Sequence, residues 1–170
     1  MGPDRLVDLV AHLASHGVRV WLDGGWAIDA LLGRQRRRHD DLDVVAALED
    51  VAGIEAALGE LGYLRVDAGD ARIVVMLDDV GHQVDVHPVV FTEEGDGVYQ
   101  MTTGGDWIYP RHGFSGFGEV LGSRVACLTP EVMMLCHATG YVLDDVHLED
   151  IRALSMGFGI PIPPASPASR

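Results

Sequence analysis

The sequence predicts an α+β fold, in which a small mixed sheet is flanked by helices and followed by a short helical C-terminal part. Apolar residues recur at helical spacing over residues 4–16. Alternation of period two over 41–45, and again over 82–87, indicates strands. A hydroxyl cap, a proline and an acid at 129–131 form a strong helix start, which places the helical part near the C-terminus.

The first half of the chain is predicted to alternate helices with short strands. Gly17, Gly33 and Gly62 each follow an apolar periodic stretch and are predicted to end helices. In order, we expect a helix over 4–16, a strand over 18–22, a glycine turn at 23–25, a helix over 26–32, a basic loop over 34–39, a strand over 41–45 and a helix over 51–61.

The second half begins with strands and ends with helices. We expect β segments over 63–66, 72–77 and 82–91, the last two joined as a hairpin around 78–81. Residues 92–125 are rich in glycine and aromatics, which predicts irregular strands and a loop. We expect helices over about 130–143 and 145–156, then a loose proline-rich tail over 160–170.

The charge balance of the 170 residues limits the classes of partner. Twenty-six acidic residues against 12 Lys and Arg give a net charge of −14, while the apolar fraction of 48% is enough for a core. This charge argues against general binding of nucleic acids or anionic membranes and favours metal ions or amine-bearing molecules. No apolar run approaches the ~20 residues of a membrane span, and the acidic, amphipathic start does not resemble a signal peptide. With two cysteines, we expect a reduced, cytoplasmic protein.

Three aspartates form the strongest candidate for chemistry. Asp41 and Asp43 occupy alternate positions of one predicted strand, so their carboxylates project from the same face. Such a pair is costly without a cation, and Mg²⁺ accepts carboxylate, water and phosphate oxygens together. Asp85 lies in a second alternating strand and joins the same cluster if the two strands are neighbours. Three acids on two strands would hold two Mg²⁺ ions for in-line displacement at phosphorus.

A glycine pair and an arginine run lie upstream of these acids. Gly24 and Gly25 follow a short strand and precede a helix, where backbone N–H groups can meet a phosphate. Four arginines at 34 and 36–38 are conspicuous in so acidic a chain, and a triphosphate or a departing pyrophosphate is a fitting counter-ion.

These motifs, in this order, resemble those of small-molecule nucleotidyltransferases of the DNA polymerase β-like superfamily. The resemblance rests on residues 21–29, on Arg37-Arg38-His39-Asp40-Asp41-Leu42-Asp43 and on Asp85-Val86-His87-Pro88, with weaker support at 31–35 and 137–141. More narrowly, the chain resembles the lincosamide nucleotidyltransferases and the aminoglycoside 2″-adenylyltransferases from about residue 21 to 154. This resemblance implies a polymerase β-like core over 1–95, an acceptor-side and helical region over 96–158, and a flexible tail over 159–170.

The resemblance also implies a role for each matching residue. Asp41 and Asp43 become metal ligands, and Asp85 becomes the third acid, which takes the proton of the acceptor hydroxyl. The expected nucleotide-binding residues are Gly24, Gly25, Arg37, His39 and His147, and the expected substrate-binding residues are His87, Tyr141 and His137. The aminoglycoside branch carries a lysine near position 147, whereas this chain has no lysine at all, so Mg²⁺, arginine or a protonated His147 must meet the phosphates.

The expected activity is Mg²⁺-dependent transfer of a nucleoside monophosphate, AMP from ATP, to a hydroxyl of a small amine-bearing antibiotic, with release of pyrophosphate. His87 falls where the lincosamide branch carries histidine, which favours a lincosamide as acceptor. The alternatives are an aminoglycoside acceptor, or a non-catalytic binding or regulatory protein of the same fold. The resemblance leaves a homodimer open.

Several of these residues fit a purely structural role as well as a functional one. Trp26 fits core packing or base stacking, and His39 fits a strand cap or a phosphate contact. The arginine run fits a solvated loop as well as a phosphate site, and His137 with Tyr141 fits a core pair as well as a substrate contact. Asp29 and Asp40 fit caps or salt bridges, Asp78 and Asp79 fit a hairpin turn, and Cys127 and Cys136 fit buried thiols.

Overall fold

The computed structural model describes residues 1–67, 73–100, 105–139 and 144–163. Its helices match the predicted order. They are α1 (Pro3–Ser15), α2 (Gly24–Leu31), α3 (Val51–Glu60), α4 (Pro130–Thr139) and α5 (Asp145–Phe158), with short 3₁₀ turns at Leu48–Asp50 and Arg111–Ser115. Among the described residues, no helix combines the length and the apolar character needed to cross a bilayer.

Within the described residues, nine strands form the sheet. They are β1 (Val20–Leu22), β2 (Asp41–Ala47), β3 (Leu64–Val66), β4 (Val74–Leu77), β5 (Gln83–Phe91), β6 (Gly97–Gln100), β7 (Asp106–Tyr109), β8 (Gly116–Val120) and β9 (Ser123–Cys127). The strand order is β3-β4-β5-β2-β1-β9-β8, and β6 and β7 continue from the far end of β5. The sheet contains both parallel pairs (β2 with β5, β1 with β9) and antiparallel pairs, which confirms the predicted mixed α+β fold.

The core lies between the sheet and its helices. Leu6, Leu9 and Leu13 of α1 are fully buried, at the spacing that the helical pattern predicted. The central strands β2 and β5 bury their apolar alternate residues and turn their polar residues to the opposite face. Trp26 is buried in this core, which confirms the packing alternative for that residue.

The start of α2 differs from the prediction. We expected a glycine turn at 23–25 and a helix from Trp26, but the helix begins at Gly24. Its N-cap is Asp23, whose side chain accepts a hydrogen bond from the backbone N–H of Gly24. The two glycines therefore form the first turn of the helix.

Residues 92–125 are more regular than predicted, because they contribute four strands. The apolar alternation is hidden by glycines that close packing requires. A Cβ on Gly118 would lie 2.6 Å from the backbone oxygen of Ala30, so the absence of a side chain lets β8 approach α2. A Cβ on Gly116 would likewise lie too close to the backbone atoms of Cys127 and Leu128.

The remaining boundaries follow the prediction with small shifts. The hairpin between β4 and β5 is present, and Asp78 accepts hydrogen bonds from the backbone N–H groups of Val80 and His82 within its turn. The expected helix over 130–143 is seen as far as Thr139, and both 140–143 and the tail over 164–170 lie outside the described residues. Strand β9 lies beside β1, so the sheet contains strands from both sides of residue 95, and the predicted division into a core and an acceptor-side region stays a prediction.

Candidate active site

Asp41, Asp43 and Asp85, here called the carboxylate cluster, converge at one end of two adjacent strands. Strands β2 and β5 are parallel and in register, with Asp43 directly opposite Asp85 and Asp41 opposite Gln83. One carboxylate oxygen from each aspartate lies within 4.8 Å of the others. The structure thus brings together the three acids that the strand pattern singled out.

Partial burial and the neighbouring charges disfavour the ionised forms of Asp41 and Asp85 in this cluster. Burial raises the pKa of Asp41, and the neighbouring charge of Asp43 raises it further. Burial also raises the pKa of Asp85, although a hydrogen bond from Gln83 opposes the shift. The Gln83 amide donates to both carboxylate oxygens of Asp85, at 2.8 and 2.9 Å, and so fixes that side chain.

The carboxylate cluster has the composition of a divalent cation site. All three side chains are half-buried and supply oxygen, which is the donor that Mg²⁺ prefers. Their mutual repulsion is the cost that a bound cation removes. The residues present therefore fit one or more divalent ions, held by Asp41, Asp43 and Asp85.

The first turn of α2 lies directly against this cluster. Gly24 has φ of +60°, and a Cβ at this position would overlap the Oδ2 atom of Asp43. Only glycine combines this backbone conformation with so close an approach. The N-terminal end of α2, where free N–H groups favour anions, therefore borders the carboxylate cluster.

Two side chains cover Gly25. A Cβ there would lie 2.6 Å from the ring atoms Cε1 and Nδ1 of His39 and would also overlap Nη2 of Arg37. His39 is buried, and its Nε2 lies 2.7 Å from Oδ2 of Asp29. His39 thus supports the glycine turn from inside, while about a third of the Arg37 side chain remains exposed.

The arginine run has two different environments. Arg36 bridges two carboxylates that are almost completely buried, with Nε 2.6 Å from Asp29 and Nη2 2.6 Å from Asp150. Arg37 reaches Asp150 at 3.5 Å, whereas Arg34 is exposed, as is Arg38. The contact of Arg36 with Asp29 confirms the salt-bridge alternative for Asp29. The contacts with Asp150 join the arginine loop to α5.

A second layer of ionisable groups lies behind the carboxylate cluster. Nε2 of His87 lies 3.5 Å from Oδ1 of Asp43. Burial opposes a charge on His87, but Asp43, Asp23 and Asp85 outweigh it and raise the pKa of this ring. Burial raises the pKa of Asp23, which also accepts a hydrogen bond from the Tyr109 hydroxyl at 3.3 Å.

The structure places the two C-terminal histidines together. The rings of His137 on α4 and His147 on α5 are 5.5 Å apart, and Nδ1 of His147 lies 2.6 Å from Asp144. Nδ1 of His137 lies 3.9 Å from Oδ2 of Asp150. Burial lowers the pKa of His137, while the charges of Asp150, Asp23 and Asp43 oppose that shift. Tyr141 lies outside the described residues.

Sequence reasoning missed three residues of this site. Asp23 precedes the glycine pair as a helix cap, and Gln83 shares the strand face of Asp85, so both carried a local signal. Asp150 pairs with a residue 114 positions away, and no local pattern indicates such a contact.

A family model shows to which family the chain belongs. The model described as aminoglycoside-2″-adenylyltransferase matches residues 5–154. The chain belongs to the aminoglycoside-2″-adenylyltransferase family. Family membership confirms the predicted enzyme class, a nucleotidyltransferase, and the non-catalytic alternative loses its support.

Individual relatives lie in both branches that the motifs resemble. The chain is 28% identical, over 88% of its length and 89% of the relative's, to a lincosamide resistance protein of Staphylococcus haemolyticus. It is 29% identical to a 2″-aminoglycoside nucleotidyltransferase of Escherichia coli, over 89% of its length and 84% of the relative's.

Solved structures agree on the fold. Lincosamide antibiotic adenylyltransferase LnuA, with lincomycin bound, superposes with a TM-score of 0.78 at 24% identity, over 91% of this chain and 97% of that one. ANT(2″)-Ia, in complex with adenylyl-2″-tobramycin, superposes with a TM-score of 0.72 at 22% identity, over 91% and 87% of the two chains.

Proposed function

We propose that this protein transfers AMP from ATP to a hydroxyl of a small amine-bearing antibiotic, with a lincosamide as the preferred acceptor, and releases pyrophosphate. The observation that carries this proposal is the convergence of Asp41, Asp43 and Asp85 beside the first turn of α2. Carboxylates next to free helix N–H groups suit a reaction in which a triphosphate and a hydroxyl must meet.

Asp85 is the proposed proton acceptor. The acceptor hydroxyl gives its proton to a carboxylate oxygen of Asp85 as its own oxygen attacks the α-phosphorus. The bond from the α-phosphorus to the bridging oxygen of pyrophosphate breaks on the opposite side. Gln83 holds both oxygens of Asp85 in place, which keeps this carboxylate oriented toward the shared space of the cluster.

Asp41 and Asp43 are the proposed metal ligands together with Asp85, and two Mg²⁺ ions are the expected cofactors. Bound Mg²⁺ would supply the positive charge that offsets the triphosphate and the three carboxylates. His87 lies beside Asp43, with Nε2 3.5 Å from Oδ1, and would add positive charge to this group of carboxylates when protonated.

The proposed nucleotide contacts come from the glycine turn and from Arg37. The Gly24 N–H is already bonded to Asp23, so the N–H groups that follow it in the first turn of α2 would meet the phosphate oxygens. Within the described residues, Nε of Arg37 is buried without a hydrogen-bond partner, and this side chain crosses Gly25. A phosphate oxygen would satisfy that donor, and His147 would meet the remaining charge in a chain that has no lysine. His39 is buried beneath Gly25 and bonded to Asp29, so a direct contact of His39 with the phosphates stays a prediction.

His87, His137 and Tyr141 are the proposed acceptor-binding residues. The match to nearly the full length of the lincosamide relative, together with the histidine at position 87, favours a lincosamide. An aminoglycoside is the second candidate, because a net charge of −14 attracts a polycation and the matching family model bears that name.

Mass spectrometry of the products tests the proposal. Purified protein is incubated with Mg²⁺ and either ATP or GTP, in the presence of lincomycin or tobramycin, and Asp85→Asn serves as the inactive control. Adenylylated lincomycin is the expected product. If tobramycin alone is adenylylated, the lincosamide assignment is wrong and the acceptor is an aminoglycoside. If neither drug is modified under any condition, the assignment to antibiotics is wrong.

We also propose three features of the protein's setting, namely a cytoplasmic location, a homodimer and the lack of nucleic-acid partners. Cys127 and Cys136 are free buried thiols, which suits the proposed cytoplasmic location. A homodimer and the lack of nucleic-acid partners remain predictions, and size-exclusion chromatography with light scattering would test the dimer.

A further inference from the structure

A second group of metal-ligating side chains lies outside the candidate active site. His12 lies in the last turn of α1, His16 is the residue that caps this helix at its C-terminal end, and Glu60 is the last residue of α3. One ligand atom from each of the three lies within 4.8 Å of the others. We propose that His12, His16 and Glu60, here called the His–Glu cluster, form a binding site for Zn²⁺ that joins α1 to α3.

The hydrogen bonds of His16 prepare its outer nitrogen for a metal. Nδ1 of His16 lies 3.0 Å from the backbone oxygen of His12, so its N–H donates to that carbonyl. The lone pair of the neutral ring then lies on Nε2, which is 3.2 Å from Oε2 of Glu60. A backbone carbonyl that fixes the opposite ring nitrogen is the usual support for a metal-binding histidine.

His12 approaches the same point from the neighbouring turn. Its ring centroid is 4.5 Å from that of His16, and its Nε2 lies 3.6 Å from Oε2 of Glu60. The same Nε2 lies 2.8 Å from the backbone oxygen of Ala57, to which it donates without a metal. Zinc binding requires the other neutral tautomer, in which Nδ1 takes up a proton from water as Nε2 releases its own, so that one hydrogen bond is exchanged for a metal–nitrogen bond.

The ligand types distinguish this cluster from the carboxylate cluster. Two imidazoles and one carboxylate are the ligands that Zn²⁺ accepts, and they leave a fourth position for water. Mg²⁺ prefers oxygen ligands, so it competes poorly here and well at Asp41, Asp43 and Asp85. The side chain of Glu60 is 59% exposed and that of His16 36%, so the cluster is open to ions from solvent.

Isothermal titration of the tag-free chain with ZnCl₂, in a large excess of Mg²⁺, tests this site. One equivalent of Zn²⁺ is expected to bind, and His16→Ala and the isosteric Glu60→Gln are each expected to weaken binding at least about tenfold. His112→Ala removes an exposed histidine outside the cluster and is expected to bind as the wild type does.

Two further measurements separate this site from the proposed enzyme activity. Zn²⁺ is expected to raise the melting temperature of Asp85→Asn as much as that of the wild type, but not that of His16→Ala. NMR is expected to show the ring signals of His12 and His16 shifting with Zn²⁺ while that of His112 stays constant. If the wild type takes up no Zn²⁺ under excess Mg²⁺, or if His16→Ala and Glu60→Gln bind it unchanged, the cluster is a salt-bridged pair of helix ends and the proposal is wrong.

Discussion

Asp43 and Asp85 lie directly opposite each other on two adjacent parallel strands, although 42 positions separate them in the chain. Seven consecutive residue pairs fix this register, from Asp41 with Gln83 to Ala47 with Val89. A slip of one residue would turn every side chain of β5 to the other face. The buried side chains of Val84 and Val86 prevent that slip, so the hydrophobic core itself holds the carboxylates together.

The first prediction concerns the proposed proton acceptor. Asp85→Asn is expected to lower the rate of nucleotidyl transfer by about 10²–10⁴-fold, because an amide does not accept the hydroxyl proton. The metal-free variant is expected to unfold at the same urea concentration as the wild type or a higher one, because one of three repelling charges is gone. Initial rates and urea unfolding check the two parts.

Asp79→Asn is the matched control for this change. Asp79 is an exposed residue of the β4–β5 turn, so the substitution removes the same charge from the chain without touching the cluster. Wild-type rates are expected. A similar loss of rate in both variants would mean that net charge, and not the carboxylate of Asp85, supports the reaction.

The second prediction separates backbone strain from displacement of a ligand. Gly24→Ala and Gly33→Ala each place a side chain at positive φ, +60° and +66°, and each is expected to lose about 1–2 kcal/mol of unfolding free energy. Only Gly24→Ala also pushes against Asp43, whereas a Cβ on Gly33 meets nothing within 4 Å. Transfer activity is therefore expected to be lost in Gly24→Ala and kept in Gly33→Ala. Equal activities at matched stability would contradict the close approach of the glycine turn to Asp43.

The third prediction concerns the buried bridge between the arginine loop and α5. Arg36→Met leaves Asp29 and Asp150 buried without the cation that joins them, which is expected to cost about 3–5 kcal/mol of unfolding free energy. Arg38→Met, at an exposed position of the same loop, is expected to change it by less than about 0.5 kcal/mol. Urea denaturation measures both, and similar unfolding midpoints for the two variants would disprove the bridge.

The fourth prediction is a pH dependence that arises from Asp29. Burial acts to raise the pKa of this carboxyl, but hydrogen bonds from His39 and Arg36 outweigh it and lower the pKa. Because the pKa is lower in the folded state, the ionised carboxylate stabilises the fold at pH values above the unfolded-state pKa of about 3.9. This stabilisation is lost as the pH falls through the folded-state pKa. The wild type is therefore expected to exceed Asp29→Asn in stability at neutral pH, by a margin that narrows below about pH 4.

Urea unfolding of both proteins between neutral and acid pH measures that margin. Asp79→Asn again serves as the control, because an exposed turn residue is expected to show a small difference from the wild type that does not vary with pH. A margin between wild type and Asp29→Asn that persists unchanged through acid pH would show that Asp29 stabilises the fold by packing and not by its charge.

Local patterns in the sequence were enough to predict the elements that carry the site. Period-two alternation placed Asp41 and Asp43 on one face of a strand and Asp85 on a second strand, and a helix was predicted directly after the glycine pair. The same reasoning failed to predict the regular strands of residues 92–125, because glycines required for contact with α2 interrupt the apolar alternation there.

By itself, the sequence determined the α+β class, the order of most helices and strands, and which acids face the same way, because these depend on neighbours only a few residues apart. Only the tertiary structure decided that β2 and β5 are adjacent and parallel, that Arg36 joins Asp29 to Asp150, and that His12 and His16 meet Glu60. These contacts join distant parts of the chain, and the packing of the whole core, not any local preference, brings them together.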